Sequence, residues 1–281
     1  MKAIGILFLT IGIISAHSQD KDIFISNKLE KKWETPSDFK VPESVCFDPV
    51  NQVLYVSNIN GKPTEKDWNG FISKLGLNGR IIDLKWVEGL HAPKGMGIYD
   101  GKLYVTDIDR VAEIDIGSGS IVKFYDFPGS QFLNDIDIDQ KGAVYISDMR
   151  ATSIYRIYKG KQELWLDDEI LTGPNGLFVE GEVLLIGCKK IVRADIKDKT
   201  MQVYLDDTGG IDGLKGTGEG SYLFSDWLGN VYLVHNDKSI EKILDTSGAG
   251  INAADIEYIP AMKLLLVPTF NDNRVMAYEL K

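Results

Sequence analysis

Histidine and cysteine are scarce in this chain of 281 residues. Three histidines and two cysteines are present, and His17 falls inside the apolar start of the sequence. His91 and His235 are too few to suggest a serine-hydrolase triad or an imidazole-rich metal centre. An excess of basic residues is also missing. Lysine and arginine number 31 against 41 acids, and the net charge is −10. An acidic chain without a basic stripe argues against nucleic acid and against anionic membrane surfaces as partners. Long hydrophobic runs are absent beyond residue 16. The one apolar stretch, Ala3 to Ala16, has 14 residues, short of the roughly 20 that span a bilayer. With Lys2 before it and Ala16-His17-Ser18 as a small-x-small site, it reads as an export leader over residues 1–18. No cysteine follows it to suggest a lipid anchor. Residues 19–281 are then a single exported domain, periplasmic or secreted, and a monomer. Extended helical periodicity is missing too, which leaves an all-β chain.

A short phrase recurs six times. It runs polar anchor, small or acidic residue, aliphatic residue, turn, and then a strand such as Leu-Tyr-Val-Ser/Thr-Asp. The anchors are Glu43, Lys94, Asn134, Asn175, Asp212 and Ala254, at spacings of 51, 40, 41, 37 and 42 residues. An all-β repeat of about 40–45 residues predicts propeller blades. Each unit continues with a third strand, as in FISKL (71–75) and IYRIY (154–158), and most add a fourth, as in DLKWVE (83–88) and ELWLDD (163–168). The sixth unit stops after its third strand. A spare fourth-type strand, LEKKWE (29–34), precedes the first anchor, and its Trp33 matches Trp86, Tyr125, Trp165 and Tyr204. The expectation is a six-bladed β-propeller whose last blade is completed by the N-terminal strand, which hides its sheet edges. The same phase puts Cys46 in blade one and Cys188 in blade four. Both are expected free, because a disulfide needs Cα atoms within about 7 Å.

The first strand of each blade lines the central channel, so the anchors should face one another at its mouth. Two carboxylates and two carboxamides among them are oxygen donors. Hard cations take such ligands, so calcium is expected, with magnesium or manganese as alternatives. Lys94 is the irregular member, and its ammonium either opposes a cation or binds an anionic ligand. His91, in the loop leading to Lys94, is a candidate proton shuttle. A second series ends the second strands: Asn58, Asp107, Asp148, Cys188, Asp226 and Thr269. These read mainly as turn caps, although Cys188 breaks the series and could line the pocket. The extra length of blade one, INGKPTEKDWNG (59–70), reads as a lid carrying Lys62 and Trp68, or as a plain surface insertion.

Four of these contexts carry a family resemblance: Glu43 in PESVCFDPVNQVLYVSNI, Asn134 in FLNDIDIDQKGAVYISDM, Asn175 in GPNGLFVEGEVLLIG and Asp212 in GGIDGLKGTGEGSYLFSDW. Together they resemble the senescence marker protein/gluconolactonase/luciferin-regenerating enzyme family across nearly all of the chain after the leader. The order Glu, Asn, Asn, Asp is also similar to that of diisopropylfluorophosphatases and paraoxonases. The resemblance implies a six-bladed propeller hydrolase with a divalent cation, often calcium, held by Glu43, Asn175 and Asp212, with Asn134 beside metal and substrate. Family members often carry arginine two residues before the Asn134 position to hold sugar hydroxyls, and here that residue is Phe132. The implied reaction is metal-assisted hydrolysis of a small lactone or ester. Asp212 is the expected proton acceptor and Glu43 the competing base. The contrasting expectation is a propeller that binds a ligand without turning it over.

Overall fold

The computed structural model describes residues 23–281. The proposed leader, residues 1–18, lies outside the described residues. Six antiparallel sheets follow one another along the chain. Blade I is Pro42–Asp48, Val53–Asn58, Gly70–Gly76 and Ile81–Leu90. Blade II is Pro93–Tyr99, Lys102–Asp107, Arg110–Asp115 and Ser120–Asp126, and blade III is Leu133–Ile138, Val144–Asp148, Ser153–Tyr158 and Lys161–Asp167. Blade IV is Leu177–Glu180, Val183–Gly187, Ile191–Asp195 and Met201–Leu205, and blade V is Leu214–Gly216, Tyr222–Asp226, Asn230–Val234 and Ile240–Asp245. Blade VI takes Glu257–Ile259, Leu264–Pro268 and Val275–Leu280 from the C-terminal end and Leu29–Glu34 from the N-terminal end.

Burial explains the strand sequences. Val53–Asn58, Val144–Asp148 and Leu264–Pro268 are buried along their whole length, because neighbouring blades cover both faces. They therefore read as continuous apolar runs rather than alternating ones. Fourth strands such as Ser120–Asp126 are mostly exposed and bury a single aromatic, here Tyr125. Trp86 stacks on Tyr55 at 4.6 Å between ring centroids, and Trp165 meets Tyr145 edge-on at 4.8 Å.

Six apolar clusters fill the six junctions between blades. One joins Tyr55 of blade I to Val105 of blade II, and the sixth joins Leu54 and Val56 of blade I to Leu264 and Val275 of blade VI. Leu29–Glu34 pairs antiparallel with Val275–Leu280, from Leu29 opposite Leu280 to Glu34 opposite Met276. The Trp33 indole N–H donates to the Leu77 carbonyl of blade I at 3.0 Å. The ring is thus closed as the spare strand predicted. One strand was not foreseen: Phe24–Ile25 adds a fifth strand to blade V, against Ile240–Asp245. Cys46 and Cys188 are both buried and free, in the cores between blades I and II and between blades III and IV. Among the described residues no helix is long and apolar enough to cross a membrane.

Candidate functional site

The anchor phrase builds the mouth of the channel from the backbone up. In blades I, II and III the first strand begins one residue before the anchor, not after it. Its pairing breaks between Pro42 and Val45, between Pro93 and Met96, and between Leu133 and Ile136. Such irregularities re-aim side chains. Here they free Glu43, Lys94 and Asn134 from the alternation of the sheet. Asn175 and Asp212 stand two residues before their strands. Serines on the second strands hold the backbone just past the anchors. Ser57 Oγ accepts from Ser44 N at 3.0 Å, Ser147 Oγ from Asp135 N at 2.9 Å, and Ser225 Oγ from Gly213 N at 2.9 Å.

The residue after each anchor faces the next blade at close range. A β-carbon on Gly213 would lie 2.4 Å from Ile256 N, and one on Gly176 would lie 2.6 Å from the Asp212 carbonyl oxygen. Glycine there lets the inner strands converge. The expected turn caps also hold. The Asp107 carboxylate accepts from His91 N and Ala92 N and pairs with Arg110. The Asp148 carboxylate accepts from Gln131 N and Phe132 N. The Ser/Thr-Asp ending of the second strands thus positions the segment that carries the anchors.

Five of the six anchors line one cavity of about 430 Å³: Glu43, Lys94, Asn134, Asn175 and Asp212. Phe132 joins them. Ile59, Pro63, Met149, Gly210, Ile211, Trp227 and Phe270 complete a largely apolar wall. Ala254 contributes backbone only, with its N–H on Pro268 O and its carbonyl accepting from Ser225 Oγ. His91 does not line this cavity. Its ring packs on Trp68 at 4.0 Å, and Nδ1 accepts the Trp68 backbone N–H at 3.2 Å. The blade-one insertion reaches the cavity through Ile59 and Pro63, not through the two residues singled out from sequence. Lys62 pairs with Glu65, and Trp68 covers His91. Cys188 stays in the core behind the pocket.

Electrostatics separate these residues from ordinary turn formers. Glu43 and Asp212 are buried, at 4% and 7% exposure. Burial, then the nearby charges of Asp212 and Asp255, hold the Glu43 carboxyl well above its ordinary pKa. Burial and Asp255 push Asp212 up to about 7, against the pull of a hydrogen bond from Asn175. That bond runs from Asn175 Nδ2 to Asp212 Oδ1 at 2.7 Å. Among the described residues, Glu43 Oε2 and Asn175 Oδ1 are buried with no hydrogen-bond partner. Asn134 Nδ2 donates to Met149 Sδ at 3.3 Å, which leaves the amide oxygen available. Lys94 is 1% exposed, and Nζ donates to Ala92 O at 2.8 Å. Burial brings its pKa down to about 8, against the pull of Glu43 and Asp107.

The donors fit a hard divalent cation. They are oxygens only, they carry unused acceptor capacity, and two of the residues are repelling carboxylates that a cation would neutralise. No group of three or more His, Cys, Asp or Glu side chains among the described residues is arranged to hold a metal. Any ligand set here therefore depends on the amides as well as the carboxylates.

Neither a protein-family model nor a curated protein matches the sequence. Solved structures do match the fold. A streptogramin B lyase structure aligns with a TM-score of 0.65 at 15% identity, covering 92% of this chain and 98% of that one. A catalytically inactive virginiamycin B lyase from Staphylococcus aureus, with quinupristin, aligns with a TM-score of 0.62 at 14% identity over 92% of this chain and all of that one. A selenomethionine-substituted form of the S. aureus enzyme gives 0.65 and 13% over the same shares. The chain is a six-bladed β-propeller. At this identity the likeness concerns architecture and carries no substrate with it.

Beneath the mouth lies a level that anchor-by-anchor reading missed. Positions one and three past the anchors share a strand face, and there stand Asp135, Asp137, Asp255, Glu257 and Lys215. Burial works against the Lys215 ammonium. The carboxylates of Asp135, Asp255, Glu257 and Asp137 outweigh it and hold its pKa well above the ordinary lysine value. The carboxylates also fasten neighbouring blades. Asp135 Oδ2 accepts from Leu177 N and Asp137 Oδ2 from Val179 N, both at 2.6 Å. Glu257 Oε2 accepts from Phe47 N at 3.2 Å, and Ser44 Oγ donates to Asp255 Oδ2 at 2.6 Å. The runs NDIDI at 134–138 and ADIE at 254–257 signal this level in the sequence.

Proposed function

We propose that this propeller is a calcium-dependent hydrolase that opens a small lactone or ester at the channel mouth. We place it with the senescence marker protein/gluconolactonase/luciferin-regenerating enzyme family. The leader at residues 1–18 would make it an exported, periplasmic or secreted protein, with residues 19–281 as its one domain and the monomer as its working form. One observation carries the reading. Two buried carboxyl groups and two carboxamides converge on a single cavity, with Glu43 Oε2 and Asn175 Oδ1 left without hydrogen-bond partners among the described residues.

Glu43, Asn134, Asn175 and Asp212 would hold the cation, with magnesium or manganese as alternatives to calcium. When bound, it polarises a carbonyl and lowers the pKa of a neighbouring water. The remaining roles belong to side chains. Asn175 donates to Asp212 Oδ1, which fixes that carboxylate and leaves Oδ2 to take a proton from the attacking water. Glu43 is the second proton acceptor. The apolar wall, Phe132 included, excludes bulk water and receives the acyl part of the substrate. Phe132 offers no donors for sugar hydroxyls, which favours substrates less polar than a sugar lactone. Hydrolysis of a lactone and ester panel, with calcium and with chelator, tests the reading. Asp212→Asn should cost at least about 100-fold in turnover. Activity that survives complete metal removal or this substitution would sink the mechanism.

A second reading is a propeller that binds a ligand without turning it over. Lys94 favours it, because an ammonium buried in the same cavity opposes a nearby cation. Saturable binding with no turnover on lactones, esters or phosphotriesters is the outcome it predicts.

A further inference from the structure

Lys94 is a buried cation whose surroundings are incomplete. Of its three N–H donors, one is used by Ala92 O. Among the described residues no salt bridge joins it to a carboxylate. Its Nζ lies 4.5 Å from the centroid of the Phe132 ring. The Arg150 guanidinium lies 4.7 Å from the same centroid and likewise has no salt bridge among the described residues. Phe132 therefore carries two cations that form no salt bridge among the described residues, and Glu43 and Asp107 act on Lys94 only from beyond contact distance. About half of the other described lysines and arginines find acids, as Arg110 does at Asp107 and Lys102 at Asp115. A cation–π contact offsets only part of the cost of withdrawing an ammonium from water.

We propose that the ligand of this cavity is an apolar molecule bearing a carboxylate, which completes the coordination of Lys94 and is drawn in by Arg150. The cavity supplies both halves of the match. Met149, Ile211, Trp227 and Phe270 face the apolar body, and Trp227 and Phe270 already meet edge-on at 5.6 Å between centroids. Lys94 lines the same cavity as Glu43, Asn134, Asn175 and Asp212, with two unused donors for the carboxylate oxygens. Arg150 borders the adjoining groove with Met149 and Gln131, where an arriving anion would pass it first. A charged acceptor meeting a buried donor makes one of the stronger hydrogen bonds available to a ligand. The inference deepens the small-molecule reading of this site. It holds equally for a hydrolase and for a non-catalytic binder.

The test is calorimetric titration in chelator, so that no hydrolysis and no bound cation enters the result. The probes are 4-phenylbutyrate and its neutral isostere 4-phenylbutanamide. The carboxylate should bind at least about ten-fold more tightly. Lys94→Met should erase that ratio, and Arg150→Gln should reduce it about two- to four-fold and flatten its dependence on salt. Equal binding of the two probes, or no binding of either, overturns the proposal. So does a ratio that survives Lys94→Met. Should that variant not fold, the wild-type ratio and Arg150→Gln at the exposed position decide. Absence of turnover on any lactone or ester, measured separately with calcium, would refute the hydrolase without touching this result.

Discussion

The channel holds two clusters of buried carboxyl groups, one above the other, and they are built on opposite principles. At the deep level Asp135, Asp137 and Glu257 give their oxygens to backbone N–H groups of adjoining blades, and the cluster has its own cation in Lys215. Among the described residues only Asp255 Oδ1 is left over at that level, while its Oδ2 accepts from Ser44 Oγ. At the mouth Glu43 Oε2 and Asn175 Oδ1 have no hydrogen-bond partner among the described residues, and the Lys94 ammonium is turned to a carbonyl. Saturated polar groups hold blades together, and unsaturated ones wait for something else. Burial and charge alone do not distinguish a site from a staple. The count of partners does.

The largest effect should come from the deep level. Lys215→Met leaves four carboxyl groups without their cation and should destabilise the fold by about 3–5 kcal/mol, read by urea denaturation in chelator. A loss below about 1 kcal/mol would mean that the two levels do not differ as described. Asp212→Asn should do the reverse. It removes turnover yet leaves the metal-free fold as stable as before or more so, because a repelling carboxylate is gone.

The pH dependence of the metal-free protein follows from the same groups. Asp212 and Glu257 titrate near 7 when folded, and Glu43 lies well above its ordinary value. Between the ordinary carboxylate range and about 7 the folded chain keeps protons that the unfolded chain has released. Stability from these groups is complete below that range and declines as the pH rises through it. Between pH 5 and pH 7.5 the melting temperature in chelator should fall by at least about 3 °C, and calcium should restore it at the higher pH through the mouth alone. A melting temperature indifferent to calcium would remove the mouth's claim to a cation. The smallest change is Ser44→Ala. It takes one hydrogen bond from Asp255 and should cost about 1 kcal/mol without altering calcium affinity more than about two-fold.

The fold was legible because each blade repeats one physical problem, an inner pair of strands covered on both faces. That Glu43, Asn134, Asn175 and Asp212 would share one cavity was legible for the same reason, since phase along a repeat is position around an axis. The deep level was in the text as well. It passed unread because attention to the first residue of NDIDI and ADIE hides the two acids that follow on the channel face. Other features depend on contacts that no period encodes. Which way the His91 ring turns was settled by Trp68, a residue of the non-repeating insertion. The burial of Lys94 depends on Phe132, one blade away. Trp227, Ile211 and Phe270 reach the cavity from connections between strands, where length and sequence vary from blade to blade.

Blade VI joins the beginning of the described chain to its end, and Lys281 N donates to Lys28 O at 2.8 Å. The circle therefore has a seam but no privileged starting point. Joining the ends there and opening the chain at an exposed hairpin such as Lys159-Gly160, in blade III, would give up only the short Phe24–Ile25 strand and keep all six four-stranded blades and every junction. A circular permutant of that kind would carry Asp212 before Glu43 in its sequence, and the mouth would be the same.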